Sequence, residues 1–319
     1  MHDTIIVGAG CAGLAAAMYA GRLGLKTLLI GENIGGTITL TDVVENYPGF
    51  VKLTGQELAD NLKKHAEAYK IEKVGVKVTK ISRNHNCFLV ETNEGQTYQS
   101  KTIIFATGTE WRKLNVPGEM EFANKGVHYC ALCDGAVYKN KVIALVGGGD
   151  SAAKEALLLS QFASKVIVLA RGEKLRGEPI NNQRVAQNPK IEVFTKVNIN
   201  GIVGDKIVKT LVLDRTVKDN TTLNVDAVFI AIGHVALSQL SKEIGIKTND
   251  KGEIIIDRES KTNIPGFFAA GDVCNTVFKQ AITGVAEGVA AVYSAYTYIN
   301  ENEFICPIGN EDLIKAKKK

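Results

Sequence analysis

Apolar runs alternate with Ala/Leu-rich stretches in a pattern that repeats. Residues 5–32, "IIVGAGCAGLAAAMYAGRLGLKTLLIGE", lay without gaps over residues 144–171, "ALVGGGDSAAKEALLLSQFASKVIVLAR". The overlay places Gly8 on Gly147, Gly10 on Gly149, Gly13 on Ala152, and the run Thr27-Leu28-Leu29-Ile30 on Val166-Ile167-Val168-Leu169. Each copy reads as apolar strand, glycine turn, helix, apolar strand, which is a βαβ unit. Two further apolar runs, "TIIFATGTE" (102–110) and "AVFIAIGHV" (227–235), both end in Ala-x-Gly, and "GFFAAGDV" (266–273) closes the series. The predicted architecture is α/β, with two Rossmann-like three-layer domains, the second inserted into the first. The expected boundaries are 1–116, 117–244 and 245–319, because "WRKLNVPGE" and "GHVALSQLSKEIG" carry the Pro/Gly or polar content of linkers.

A G-x-G-x-x-G/A turn between strand and helix meets a pyrophosphate. One glycine makes the tight turn, one lets phosphate reach the backbone, and the last lets helix and sheet close together. Free N–H groups at the helix start hold the anion. The copies differ after their second strand, where the first has Glu32 and the second Arg171, with Arg176 five residues on. A carboxylate there accepts hydrogen bonds from ribose hydroxyls, whereas guanidinium groups match a 2′-phosphate. The second site leans to NADPH; the competing interpretation is two solvated arginines on a loop.

Composition narrows the chemistry. The chain has 319 residues, 45% hydrophobic and 23% charged, with a formal net charge of +4. That is an ordinary globular balance, and no central segment concentrates positive charge as a nucleic-acid arm would. The basic run Lys315–Lys319 reads as a solvated terminus. "MHDTIIVGAG" has no cationic leader and no stretch approaches the ~20 apolar residues of a membrane span, so a cytoplasmic protein is expected. The six cysteines (11, 87, 130, 133, 274 and 306) are scattered, apart from Cys130-Ala131-Leu132-Cys133. With no second Cys/His pair and only five histidines, structural metal is not expected. A permanent bridge across so small a loop would stabilise little, and reversible redox exchange is the use that the spacing fits. Cys306 is expected as an unpaired surface residue, and Cys11 and Cys274 as small packing residues.

In order along the chain, "GAGCAG" (8–13), "GG" (35–36), "ENYPGF" (45–50), "ATG" (106–108), "CALCDG" (130–135), "GGGDSA" (147–152), "GH" (233–234) and "AAGDV…KQAITGVAEG" (269–288) resemble the low-molecular-weight thioredoxin reductases of bacteria and archaea, over essentially the whole length. The redox pair lies just ahead of the second glycine turn; glutathione reductases would carry it near the N-terminus, where this chain has Thr37, Thr39 and Thr41. The resemblance implies an FAD site from Gly8, Gly10, Cys11, Ala12, Gly13, Glu32, Gly36, Thr37, Asn46, Ala106, Thr107, Gly108 and Gly271. It adds Asp272 on the flavin's sugar chain and Lys279, Gln280 and Ala281 along the ring. It implies an NADPH site from Gly147, Gly149, Asp150, Ser151, Ala152, Arg171, Arg176 and Gly233. Cys133 would face the flavin and Cys130 attack the partner's disulfide, while Asp134 could hold a proton for the departing thiolate, its plainer role being a helix cap.

The implied activity is hydride transfer from NADPH to FAD, then reduction of the Cys130–Cys133 disulfide, then exchange with thioredoxin or a thioredoxin-like protein. The inserted domain would swing about its linkers, and the enzyme would be a homodimer. The usual H-R-R-x-x-x-R loop is incomplete, with Ala170 and Gly172 at two of its positions, which opens NADH or reduced ferredoxin as alternative donors. A dithiol oxidase acting on a small metabolite uses the same scaffold. A peroxide-reducing system usually carries an added thioredoxin-like N-terminal domain, whereas here the first glycine turn begins at residue 8. A scaffold protein without turnover has no use for C-x-x-C-D.

Overall fold

The computed structural model describes residues 1–40, 44 and 46–306, except for the side chain of Cys133. Thr41, Glu45 and the tail from Pro307 with its lysine cluster lie outside the described residues. The chain divides into two compact units, Met1–Glu110 with the chain from Val235 onward, and Trp111–His234.

The changes of unit fall earlier on both sides than the linker composition suggests, for a local reason. Buried Glu119 accepts hydrogen bonds from the N–H groups of Leu114 (2.9 Å) and Asn115 (2.5 Å), which ties "LNVPGE" into the inserted unit. On the return, Leu237 N–H donates to Gly108 O (3.0 Å) and the Ser238 hydroxyl to Gly252 O (2.5 Å), which places that stretch in the first unit.

In the first unit the strands Glu72–Val74, Thr27–Ile30, His2–Val7, Thr97–Phe105 and Phe267–Ala269 form a parallel sheet in that order. The first half of the long strand Thr97–Phe105 also pairs antiparallel with Cys87–Thr92, which pairs in turn with Val78–Asn84. Successive side chains point to opposite faces, so the continuous apolar runs bury both. Ile5, Val7, Leu28, Ile103 and Phe105 fill one side; Ile6, Leu29 and Ile104 meet the helices Cys11–Arg22 and Ala281–Glu301 on the other. Those two helices approach closely because Gly288 has no side chain: a Cβ there would lie 2.3 Å from Ala12 O.

The inserted unit repeats the plan. Ile191–Thr195, Lys165–Ala170, Val142–Val146, Ala227–Ile230 and Val127–His128 form a parallel sheet in that order. One face packs on the helix Asp150–Phe162 through Ala152, Ala156 and Leu159. The other is covered by an antiparallel meander, Ile199–Gly204, Val208–Val217 and Asn220–Asn224, through Ile202, Val208 and Leu211.

One sequence expectation is corrected. Cys306 is not an unpaired surface thiol: it forms a disulfide with Cys87, with Cα atoms 5.6 Å apart across 219 positions of sequence. Asn86 brings it there, since its side-chain amide donates to Glu303 O (2.6 Å) and accepts from Ile305 N–H (3.1 Å), while Phe304 packs edge-on against Tyr298. Closing so long a loop restricts the unfolded chain, an effect typically worth about 2–4 kcal/mol. Replacement Cys306→Ser is expected to lower the unfolding free energy by about that amount. Denaturant melts with and without reductant check this: reductant should bring the natural protein down to the variant and leave the variant unmoved.

Candidate active site

The first glycine turn sits where the parallel strands end. Gly8 N–H donates to Ile30 O (2.8 Å) and Ala106 N–H to Val7 O (2.7 Å), and a Cβ on Gly8 would lie 2.2 Å from Ala106 O. Gly8 is therefore glycine because of the neighbouring strand, and its φ of +109° requires it as well. Gly13 is glycine because its Cβ would meet Gly8 O at 1.8 Å. Gly10 is different. Its backbone is extended (φ −76°, ψ −172°), and the nearest atom to an added Cβ is Gly35 O at 3.8 Å. No side chain caps the helix at Gly10, and the first intrahelical bond comes from Leu14 N–H, which leaves the amides of Cys11, Ala12 and Gly13 directed at the opening. The protein thus leaves room at a concentration of N–H donors, a cradle that a side chain would fill and that fits a pyrophosphate.

Other residues expected at this site gather here. Gly35 N–H donates to Ala9 O (2.8 Å), and Gly36 starts the 3-10 turn Gly36–Leu40 that carries exposed Thr37. Glu32 is exposed just past the second strand. Thr107 Oγ1 donates to Leu237 O (2.8 Å), which anchors Ala106–Gly108 to the returning chain. Gly271 lies against Ala12, its Cβ position 3.0 Å away, and Asp272 is close enough that its charge, after burial, helps push the Cys11 thiol up to about 11. Cys11 and Cys274 are free thiols, half-buried and buried, and burial raises both.

Two side chains expected along the flavin ring, Gln280 and Lys279, also hold partners within the protein. Gln280 caps the helix Ala281–Glu301 with Thr283 and accepts from Asn46 Nδ2 (2.9 Å). Lys279 Nζ donates to Asp272 O (2.6 Å) and Cys274 O (2.8 Å) and pairs with Glu253 (2.7 Å). Burial alone would raise the Glu253 carboxyl, but bonds from Lys279 and Asn249 hold it below its ordinary range. The ammonium is spent on shaping the 272–274 turn. Glu287, which the sequence reading did not single out, fixes the same turn by accepting from Gly271 N–H (2.8 Å) and from the Thr276 hydroxyl.

The second turn has the same division of labour. A Cβ on Gly147 would lie 2.3 Å from Ala231 O and 2.8 Å from the Ala152 methyl, whereas one on Gly149 meets nothing within 4 Å. The helix Asp150–Phe162 has no side-chain cap at Gly149. Asp150 works mainly within the protein: Oδ1 accepts from Glu178 N–H (2.8 Å) and Asn181 Nδ2 (2.9 Å), and Oδ2 pairs with Lys154 (2.7 Å). Burial pulls that carboxyl upward, and these bonds win and hold it below its ordinary range. They staple the loop after Ala170 to the turn, and Arg176 N–H completes the attachment by donating to Gly148 O (2.7 Å). Arg171 and Arg176 are exposed on this loop, Ser151 is exposed in the first helical turn, and exposed Gly233 accepts from Arg112 N–H (2.9 Å).

Cys130 precedes the short helix Ala131–Asp134 and is disulfide-bonded. Its carbonyl accepts from Asp134 N–H (3.2 Å). Asp134 makes no side-chain cap; instead its Oδ2 lies 2.9 Å from His128 Nδ1, and His128 Nε2 lies 2.8 Å from the Tyr138 hydroxyl. Tyr129, next to Cys130, donates to Glu119 (2.8 Å), which with burial raises its phenol. Glu155, one turn into the second glycine helix, accepts from Ala131 N–H, its Oε2 is buried with no partner, and burial pushes its carboxyl up to about 7 against that bond. Sequence reasoning missed His128, Tyr138 and Glu155 because nothing in their spacing sets them apart; only the fold brings them to the C-x-x-C turn. Among the described residues no cluster of three or more His, Cys, Asp or Glu could hold a metal ion, and no helix is long and apolar enough to cross a membrane.

The pyridine nucleotide-disulphide oxidoreductase model matches residues 2–288. The chain belongs to that family. It is 39% identical over 302 residues to a thioredoxin reductase of Treponema pallidum, covering 94% of this chain and 97% of that one. Its structure matches the thioredoxin reductase of Lactococcus lactis with a TM-score of 0.89 at 37% identity, covering 95% of this chain and 100% of the other. It matches that of T. acidophilum at 0.84 and 35%, covering 93% and 98%. The resemblance to low-molecular-weight thioredoxin reductases and the two dinucleotide-binding domains therefore hold along the chain, and family membership implies FAD and a pyridine nucleotide.

Glu155 yields a pH prediction. Its value in the fold, about 7, is above the ordinary 4.5, so its neutral form's contribution to stability is full below pH 4.5 and is lost as pH rises through about 7. The penalty beyond that is on the order of 3 kcal/mol. Replacement Glu155→Gln keeps an acceptor for Ala131 and removes the titration. Thermal melts from pH 4 to 9 should show the variant melting with the natural protein at the acid end and above it at the alkaline end.

Proposed function

We propose that the protein is an FAD-dependent, NADPH-linked thioredoxin-disulfide reductase, with FAD at the first glycine turn and NADPH at the second. The observation that carries this reading is a disulfide-bonded Cys130 at the head of a short helix, backed by Asp134, in the unit that also holds the second open glycine turn. We infer Cys133 as the partner sulfur. A bound flavin would supply the redox chemistry that links the nucleotide to this disulfide. The Cys11–Gly13 amides would bind the FAD pyrophosphate and Glu32 the ribose hydroxyls; Gly149 leaves room for the second pyrophosphate. Exposed Arg171 and Arg176 supply guanidinium groups for a 2′-phosphate. Cys130, half-exposed, is the sulfur to attack a thioredoxin-like disulfide, and Asp134, next to the pair in sequence, is the carboxyl to relay a proton in that exchange.

We place the enzyme in the cytoplasm as a homodimer; Val277, Phe278 and Tyr293 stand exposed on the first unit and suit such a face. Movement of the inserted unit about its two crossings is part of the reading, and a crosslink between the units is expected to abolish turnover of a protein disulfide. NADH is the second donor, favoured by Ala170, which ends its strand buried, and by Gly172, which adds no charge to the loop.

Steady-state reduction of oxidised thioredoxin by NADPH, NADH and reduced ferredoxin tests the assignment. Turnover with NADPH is expected, and Cys130→Ser should reduce it by roughly a thousandfold or more. Arg176→Ala should raise the KM for NADPH about tenfold and leave that for NADH unchanged. Equal use of NADH would overturn the donor assignment, and no turnover with any donor would overturn the reductase reading.

A further inference from the structure

His128 ends the short strand Val127–His128, with a side chain only 8% exposed. Its ring stacks on Phe229 with centroids 5.1 Å apart and planes at 25°, and the Tyr138 ring stands edge-on at 5.3 Å. Packing therefore fixes the imidazole. Both nitrogens nevertheless face ionisable side chains: Nε2 is 2.8 Å from the Tyr138 hydroxyl, and Nδ1 is 2.9 Å from Asp134 Oδ2. The second contact is close but out of hydrogen-bond alignment, and Nδ1 is buried with no other partner. Since the ring is pinned and the Asp134 side chain is 38% exposed, the carboxylate is the group with freedom to turn into line.

The hydrogen positions follow from the inventory of donors. Burial raises the Tyr138 phenol, and the charges of Asp134 and Asp226 raise it further, so the hydroxyl keeps its proton and, in the tautomer with a bare Nε2, donates to it. A neutral imidazole accepting at Nε2 carries its hydrogen on Nδ1, facing Asp134. Once the Asp134 carboxylate turns to meet Nδ1, a chain of exchangeable protons runs to it from half-buried Tyr138 through His128.

We propose that His128 is a positioning residue for Asp134, completing a Tyr138–His128–Asp134 chain through which the proton consumed in each dithiol–disulfide cycle reaches the turn that carries Cys130. This rests on the reductase reading above. The balance requires such a route. When the enzyme dithiol reduces a protein disulfide, the partner's S–S bond breaks, the enzyme's S–S bond forms, and two electrons and two protons pass to the partner. Restoring the dithiol needs the same two electrons and two protons. A reduced nicotinamide supplies the electron pair with one proton as hydride, and the second proton comes from water. Asp134 is adjacent to the pair and can hand over that proton; His128 refills it and, as donor at Nδ1, keeps the carboxyl turned toward the task. The ionisable groups around this route are Asp134 on the short helix, Tyr138 on the following 3-10 turn, Asp226 acting on Tyr138 and itself paired with Lys141 (3.4 Å), and Glu155 at Ala131 N–H.

The test uses reduced holoprotein and the pH dependence of iodoacetamide alkylation at Cys130, read by mass spectrometry of its peptide. His128→Phe retains an aromatic ring against Phe229 and removes both nitrogens. With no donor at its side, the Asp134 charge disfavours a neighbouring thiolate, so the alkylation midpoint is expected to rise by about one pH unit. Thioredoxin turnover should fall about tenfold or more with the KM for thioredoxin unchanged. Tyr138→Phe should move both in the same direction. In the natural protein with 15N-labelled histidine, the Nδ1 resonance of His128 should shift between the disulfide and dithiol forms. An unshifted alkylation profile in a folded His128→Phe protein overturns the proposal, as does a resonance that ignores the redox state; if the variant fails to fold, the resonance decides. Alkylation and resonance require no protein partner, so failure of thioredoxin reduction in the natural enzyme counts against the reductase reading and is read separately.

Discussion

The structure depends on one repeated constraint: a strand must turn into a helix so tightly that the turn's first glycine touches the next strand, yet leave the helix's leading amides open. Gly8 against Ala106 O and Gly147 against Ala231 O meet the first demand. Gly10 and Gly149 meet the second, because nothing in the protein crowds their missing side chains. A packing motif would have filled that space. Unfilled space beside a helix's leading N–H donors is where a dinucleotide's charge can be compensated by backbone alone. Glu287, Lys279 and Glu253 shape one opening, and Asp150 fastens the loop beside the other.

The redox turn uses the second of these frames. The parallel pairing of Val127–His128 with Val228 and Phe229 places His128 on the aromatic ring of its neighbour and directs the chain into Cys130. The glycine helix contributes Glu155 from its second turn to the Ala131 amide. The short helix Ala131–Asp134 thereby has two carboxyls with different surroundings, Glu155 buried and raised at its Ala131 amide and Asp134 partly exposed beside an imidazole.

Much of this was legible in the chain. The βαβ repeat was visible because parallel strands buried on both faces leave continuous apolar runs, and glycines at fixed offsets mark the turns. Elimination and spacing singled out the C-x-x-C pair, whose Cys130 is disulfide-bonded in the structure. The unit boundaries were not legible, because Glu119 and Ser238 attach linker-like sequence by hydrogen bonds that composition does not record. Nor was the Cys87–Cys306 bond, which spans 219 positions and is guided by Asn86. Nothing in sequence spacing sets His128 and Tyr138 apart, and the bonds from Glu178 and Asn181 to Asp150 join elements that only the fold brings together.

The central claim, that each open glycine reserves space for a separate dinucleotide, is tested most directly at Gly149, where an added Cβ meets no protein atom within 4 Å. The measurement is the anaerobic absorption spectrum of a Gly149→Val protein as NADPH is added. The account predicts a folded, yellow protein whose flavin stays oxidised at nucleotide concentrations that bleach the natural enzyme. Bleaching at the same concentrations as the natural enzyme would contradict it.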